Sequence, residues 1–138
     1  MAKKNSSVAQ LPEAELDVLS CILQRQRVTA REIREALAEV RPLAHASVVT
    51  LLNRLEQKGL VQKQKGKVGK AFVYQATRKP GTVYRSLVQS LLDRVFAGNG
   101  LALVHSLFET QPPNPEQLDE LQTMLDTIRA NQNAGEGK

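Results

Sequence analysis

Tryptophan is absent from these 138 residues, cysteine occurs once and histidine twice. A single cysteine excludes an internal disulfide framework and any multi-cysteine metal site within one chain. No apolar run approaches the ~20 residues that a membrane-spanning helix needs. The first residues, Met1-Ala-Lys-Lys-Asn-Ser-Ser7, are polar and no apolar stretch follows them. A secretory signal is therefore not expected, and the cytoplasm is the expected compartment. A catalytic nucleophile needs a base and an orienting group, or a metal. His45, His105 and Cys21 stand far apart and supply no such constellation. An enzyme, a metal site and a cofactor are accordingly not expected. Cys21, beside Ile22, reads as a buried small hydrophobe rather than a reactive thiol. Gly66-Lys-Val-Gly69 lacks the longer glycine spacing and the Lys-Ser/Thr ending of a phosphate loop, so it reads as a hairpin turn.

The chain does carry positive charge, and carries it unevenly. Formal net charge is +5. Between Arg54 and Pro80 there are eight basic residues and one acid, Glu56. From Asp93 to Lys138 the balance reverses, with seven acids against Arg94, Arg129 and Lys138. The middle of the chain is suited to an anionic partner and the C-terminal third is not. The length suits one domain or two small units sharing a core.

Periodicity and capping signals divide the chain further. Residues 1–10 read as a polar tail. A first helix opens at Pro12, with Leu16, Leu19, Ile22 and Leu23 on one face. Arg27 and Val28 form a short extended link. Thr29-Ala-Arg-Glu32 is a capping box that starts a second helix, with Ile33 and Leu37 inward. Arg41-Pro42 ends it, because the residue before proline is pushed out of the α region. A third helix spans about 46–58, striped by Val48, Leu51, Leu52 and Leu55. Gly59 occupies its left-handed C-cap position. Leu60–Lys65 and Ala71–Gln75 then read as a hairpin with Lys65, Lys67 and Lys70 at its tip. Beyond Val83 the pattern is helical. Tyr84 to Phe96 carry a broad apolar stripe, and Ala97-Gly-Asn-Gly100 interrupts it. Leu101, Val104, Leu107 and Phe108 mark another helix. Asn114-Pro115-Glu-Gln117 opens a last one, carrying Leu118, Leu121, Leu125 and Ile128.

The expected fold is thus mainly α with a small β-hairpin. A winged helix-turn-helix domain (11–79) precedes a helical dimerisation region (80–130) and a disordered tail (131–138). The third helix buries one face and leaves Ala46, Thr50, Asn53 and Gln57 opposite, with Ser47 and Arg54 on one flank and Val49 on the other. Small side chains let a helix lie close to base edges in the major groove, and valine can touch a thymine methyl. Lysines on a wing at 62–74 suit phosphates. The outward side chains of this helix and the tip lysines Lys65, Lys67 and Lys70 are the expected DNA-binding surface. The rival reading is a winged-helix protein-interaction module, which would not need lysines concentrated at the hairpin.

Leu11-Pro-Glu-Ala-Glu15, Val28-Thr-Ala-Arg-Glu-Ile33, Val48-Val-Thr-Leu-Leu-Asn-Arg-Leu-Glu-Gln-Lys-Gly59 and Phe72-Val-Tyr74 resemble the penicillinase-repressor family, the BlaI/MecI/CopY type of bacterial regulator. The resemblance runs from about Leu11 to Met124. It implies a repressor whose third helix reads a palindromic double-stranded operator, with Ser47, Thr50 and Arg54 at DNA-contacting positions and Ala46 and Val49 at two more. It implies a homodimer formed by interlocking C-terminal helices, for which Leu87, Leu91, Val95, Phe96, Val104, Phe108, Leu121 and Leu125 are the candidates. It also implies an upstream sensor or protease that relieves repression. The chain departs from the family where Leu16 and Leu43 replace tryptophans and Ala44-His45 replaces Ser-Pro. Ser106-Leu107 replaces the Asn-Phe bond cut on induction, and the paired CxC motifs of copper-responsive members are missing.

Overall fold

Proline and capping side chains open most of the helices in the computed structural model, which describes residues 8–66, 69 and 71–136. The elements in order are α1 (Glu13–Arg25), β1 (Val28–Thr29), α2 (Ala30–Ala36), α3 (His45–Gln57), β2 (Val61–Lys65), β3 (Phe72–Ala76), α4 (Pro80–Arg94), α5 (Gly100–Thr110) and α6 (Pro115–Glu136). The molecule is mainly helical with one small antiparallel sheet, as the periodicity predicts. It divides into two units, 1–91 and 92–138.

In the first unit, α1, α2 and α3 pack on the sheet around one core. Leu19, Ile22, Ile33, Val48, Leu52 and Leu55 are fully buried there. The capping box at α2 forms as expected: Glu32 N–H donates to Thr29 Oγ1 at 3.2 Å, and Thr29 N–H donates to Glu32 Oε1 at 2.9 Å. The α3 terminus closes as a Schellman motif. Gly59, at φ 79°, donates to the Glu56 carbonyl at 3.0 Å, and Leu60 donates to the Leu55 carbonyl at 3.0 Å. Leu55 and Leu60 are both buried, which supplies the apolar contact this motif favours.

The sheet holds one more strand than the expected hairpin. Its order is β1-β3-β2, with Val28 opposite Tyr74 and Thr29 opposite Val73. The extended link at Val28 is therefore a third strand, which ties the wing to the helix-turn-helix. Three other boundaries differ from expectation. Val8–Gln10 is a 3-10 turn with Val8 fully buried, so the polar tail ends before it. Helix α2 stops at Ala36, short of Arg41-Pro42. The chain turns there, and Arg41 N–H donates to the Leu37 carbonyl at 2.7 Å. Helix α6 continues to Glu136, through most of the stretch expected to be disordered. At the domain boundary, α4 starts at Pro80, but Val83 is buried and Leu87 packs against the core of the first unit.

In the second unit, Asn99 caps α5 by accepting from the Ala102 N–H at 3.1 Å. Asn114 and Gln117 cap α6 reciprocally, at 2.7 and 3.0 Å. Among the described residues, none beyond Val83 is buried.

Candidate nucleic-acid interface

Helix α3 splits cleanly into two faces. Val48, Leu51, Leu52 and Leu55 are buried, while Ala46, Ser47, Thr50, Asn53, Arg54 and Gln57 are exposed. The fully exposed positions hold no acid; Glu56, the one acid of the helix, is half-buried and lies 3.9 Å from Lys63 Nζ, and Arg54 enters no ion pair among the described residues. The Thr50 hydroxyl donates to the Ala46 carbonyl at 3.0 Å. Its proton is therefore used within the helix, and what Thr50 offers outward is a methyl group and oxygen lone pairs. Ala44 stands at the N-cap and provides no side-chain cap, so the loss of the Ser-Pro start leaves the first amides of α3 without a side-chain acceptor.

Val49 behaves differently from the other α3 positions expected to contact DNA. It is half-buried and packs against the core. With His45 and Asn53 it forms one wall of a cleft of about 720 Å³. The N-terminus of α2 and the hairpin residues Lys63, Phe72 and Tyr74 form the others. Both carboxylates lining the cleft are engaged, Glu32 in the capping box and Glu35 with Arg31 at 3.2 Å. Lys63 Nζ lies 4.6 Å from the centre of the Phe72 ring and 3.9 Å from Glu56. These contacts hold one lysine of the wing to its base, a packing role that charge counting along the sequence does not reveal.

Of the tip lysines, Lys65 ends β2, exposed and opposite Phe72. Lys67 and Lys70 lie outside the described residues. Two further cations flank α3 and are held by α1. Arg41 Nε lies 2.7 Å from Asp17, and Lys58 Nζ lies 2.5 Å from the buried Glu15. Neither pair was visible as a motif. Burial pushes the Cys21 thiol above its usual range, with Arg25 opposing the shift. Burial likewise raises Tyr74, with Glu56 adding to it. No group of three or more His, Cys, Asp or Glu side chains that could hold a metal ion occurs among the described residues. None of their helices is long and apolar enough to cross a membrane.

The expected dimer residues are mostly uncovered. Leu91, Val95, Val104 and Leu125 are exposed, and Phe96, Phe108 and Leu121 are half-buried. Leu87 is the exception, being packed on the first unit's core.

A sequence model of the penicillinase repressor family matches residues 11–127. The penicillinase repressor of Staphylococcus aureus is 23% identical over 128 residues, covering 93% of this chain and 98% of that protein. The methicillin resistance regulatory protein MecI of Mammaliicoccus sciuri is 22% identical over 116 residues, covering 84% and 93%. Among solved structures, a cysteine-to-serine mutant of MarR from E. coli, complexed with operator DNA, has a similar fold. Its TM-score is 0.54 at 16% identity, covering 91% of this chain and 81% of that one.

Proposed function

The chain belongs to the penicillinase repressor family, a family of DNA-binding transcriptional repressors rather than enzymes, and from that premise we propose how it engages its operator. It binds a palindromic site as a homodimer. Each protomer places α3 in the major groove and the lysine wing on the flanking phosphates. Ala46, Ser47, Thr50 and Arg54 meet the bases or the adjoining backbone, with Val49 at the edge of that surface. Lys65, Lys67 and Lys70 meet phosphates.

The observation that carries this reading is the outer face of α3. It is exposed and polar, its fully exposed positions hold no acid, the half-buried Glu56 is paired with Lys63, and its one arginine is uncommitted among the described residues. A major groove admits a helix with such a face. The homodimer is supported by the second unit. Leu101, Leu107, Leu118, Leu125 and Ile128 are all exposed in the single chain, and large apolar side chains of this kind are what a second copy would cover. Two copies related by a two-fold axis read two inverted half-sites. Relief of repression falls to an upstream sensor or protease.

The test is selection of bound duplexes from a random pool by the full chain, followed by footprinting. The expected outcome is an enriched inverted repeat, with half-sites about one helical turn apart or a multiple of it. Enrichment of no sequence, or of one unrepeated element, would overturn the proposal.

A further inference from the structure

Two cations bracket α3, and α1 holds both. Arg41 stands in the turn before His45, and Lys58 is the C-cap of the helix. Arg41 Nε lies 2.7 Å from Asp17 Oδ2, and its Nη2 lies 3.3 Å from Glu13 Oε1. Lys58 Nζ lies 2.5 Å from Glu15 Oε1. The Glu15 side chain is 2% exposed and that of Lys58 30%. Glu15 is the one buried charged side chain among the described residues.

Stability alone does not account for that burial. Apolar replacement of a buried ion pair is often neutral or stabilising. What an ion pair adds is direction. Apolar burial is non-directional, so Val48, Leu52 and Leu55 fix which face of α3 is buried more firmly than where the helix stands along α1. A charge pair at each end removes that freedom.

We propose that Glu15 and Asp17 are positioning residues for operator discrimination. Through Lys58 and Arg41 they fix both ends of α3 on α1, and so fix where Ser47, Thr50 and Arg54 meet base edges. They touch no DNA themselves. The inference rests on the reading of α3 as the recognition helix.

The test uses the full chain, the duplex that the wild type selects, and a scrambled duplex, well below the melting temperature. Glu15→Gln keeps size and an oxygen but removes the charge. Its operator-to-scrambled affinity ratio should fall about tenfold, within the range for coupled neighbouring groups. Affinity for the scrambled duplex and the salt slope should stay as in the wild type. Glu15→Gln combined with Lys58→Met should lose no more than Glu15→Gln alone, because both act through one pair. Asp17→Asn breaks a partly exposed pair and so carries the test even if the buried substitution unfolds the chain; the same loss of ratio is expected. The proposal is overturned if folded variants keep the wild-type ratio and only their melting temperature falls. It is equally overturned if the double variant loses about 0.9 of salt slope, because Lys58 would then be a phosphate contact. If the wild type itself selects no sequence, the reading of α3 falls and takes this inference with it. Selection by the wild type with discrimination intact in the variants sinks this inference alone.

Discussion

Thr50 offers its surroundings a methyl group and oxygen lone pairs, because its hydroxyl proton is bound to the Ala46 carbonyl. Base contacts contribute ~1–3 kcal/mol of discrimination each, whereas a phosphate contact adds ~0.9 to the slope of log affinity against log salt. Thr50→Ala should therefore weaken binding to the selected operator far more than to scrambled DNA. Thr50→Val, which keeps the methyl, should lose less. Lys65→Ala should weaken both duplexes by a similar factor and flatten the salt dependence. Competition titrations of the three variants at several salt concentrations separate these outcomes. If Lys65→Ala altered sequence preference while Thr50→Ala left it intact, the helix and the wing would have exchanged roles. A second residue-scale expectation concerns Cys21. Burial disfavours its thiolate, the reactive form, so at neutral pH iodoacetamide should modify the folded chain much more slowly than the denatured one. Equal rates would show that the thiol is open to solvent.

At the scale of elements, α3 depends on its terminus as well as on its stripe. Gly59 adopts φ 79°, a conformation that costs a residue with a Cβ roughly 1–2 kcal/mol. Gly59→Ala should lower the unfolding free energy by about 1 kcal/mol or more, measured by urea denaturation, with the slope unchanged. No loss would mean that the Schellman closure is dispensable. Features of this kind were legible in the sequence because they are local. The buried stripe of α3 follows from helical periodicity, and the caps at Thr29, Gly59 and Asn114 follow from residue types a few positions apart. What was not legible depends on distant partners. Glu15 and Lys58 are 43 positions apart, and nothing local marks Glu15 as buried. The β1 strand exists because Val28 meets Tyr74. Val8 is buried by the fold around it rather than by any pattern of its own. Val49 lies on the edge of the reading face by helical spacing, but the hairpin beside it turns that edge into a cleft wall.

At the scale of the whole molecule, the second unit lacks the cover that its helices need. Short helices in water are stabilised mainly by packing an apolar face, not by propensity. Yet among the described residues from 92 onward none is buried, and Leu101 is 83% exposed. A second copy would supply the missing cover. Leu125, at 57% exposure, discriminates between a monomer and a dimer. In a monomer, Leu125→Asp is a surface change, worth within about 0.5 kcal/mol. In a dimer it places an unpaired charge in an apolar seam, which costs several kcal/mol. Sedimentation equilibrium should show the wild type as a dimer at micromolar concentration and Leu125→Asp shifted toward monomer. The variant should also lose operator affinity, because each protomer then holds one half-site without its neighbour. Its first unit should keep an intact α3, so weak binding to single half-sites should survive. A wild type that sediments as a monomer, or a variant that dimerises undiminished, would place the apolar surface of α5 and α6 in some other interaction.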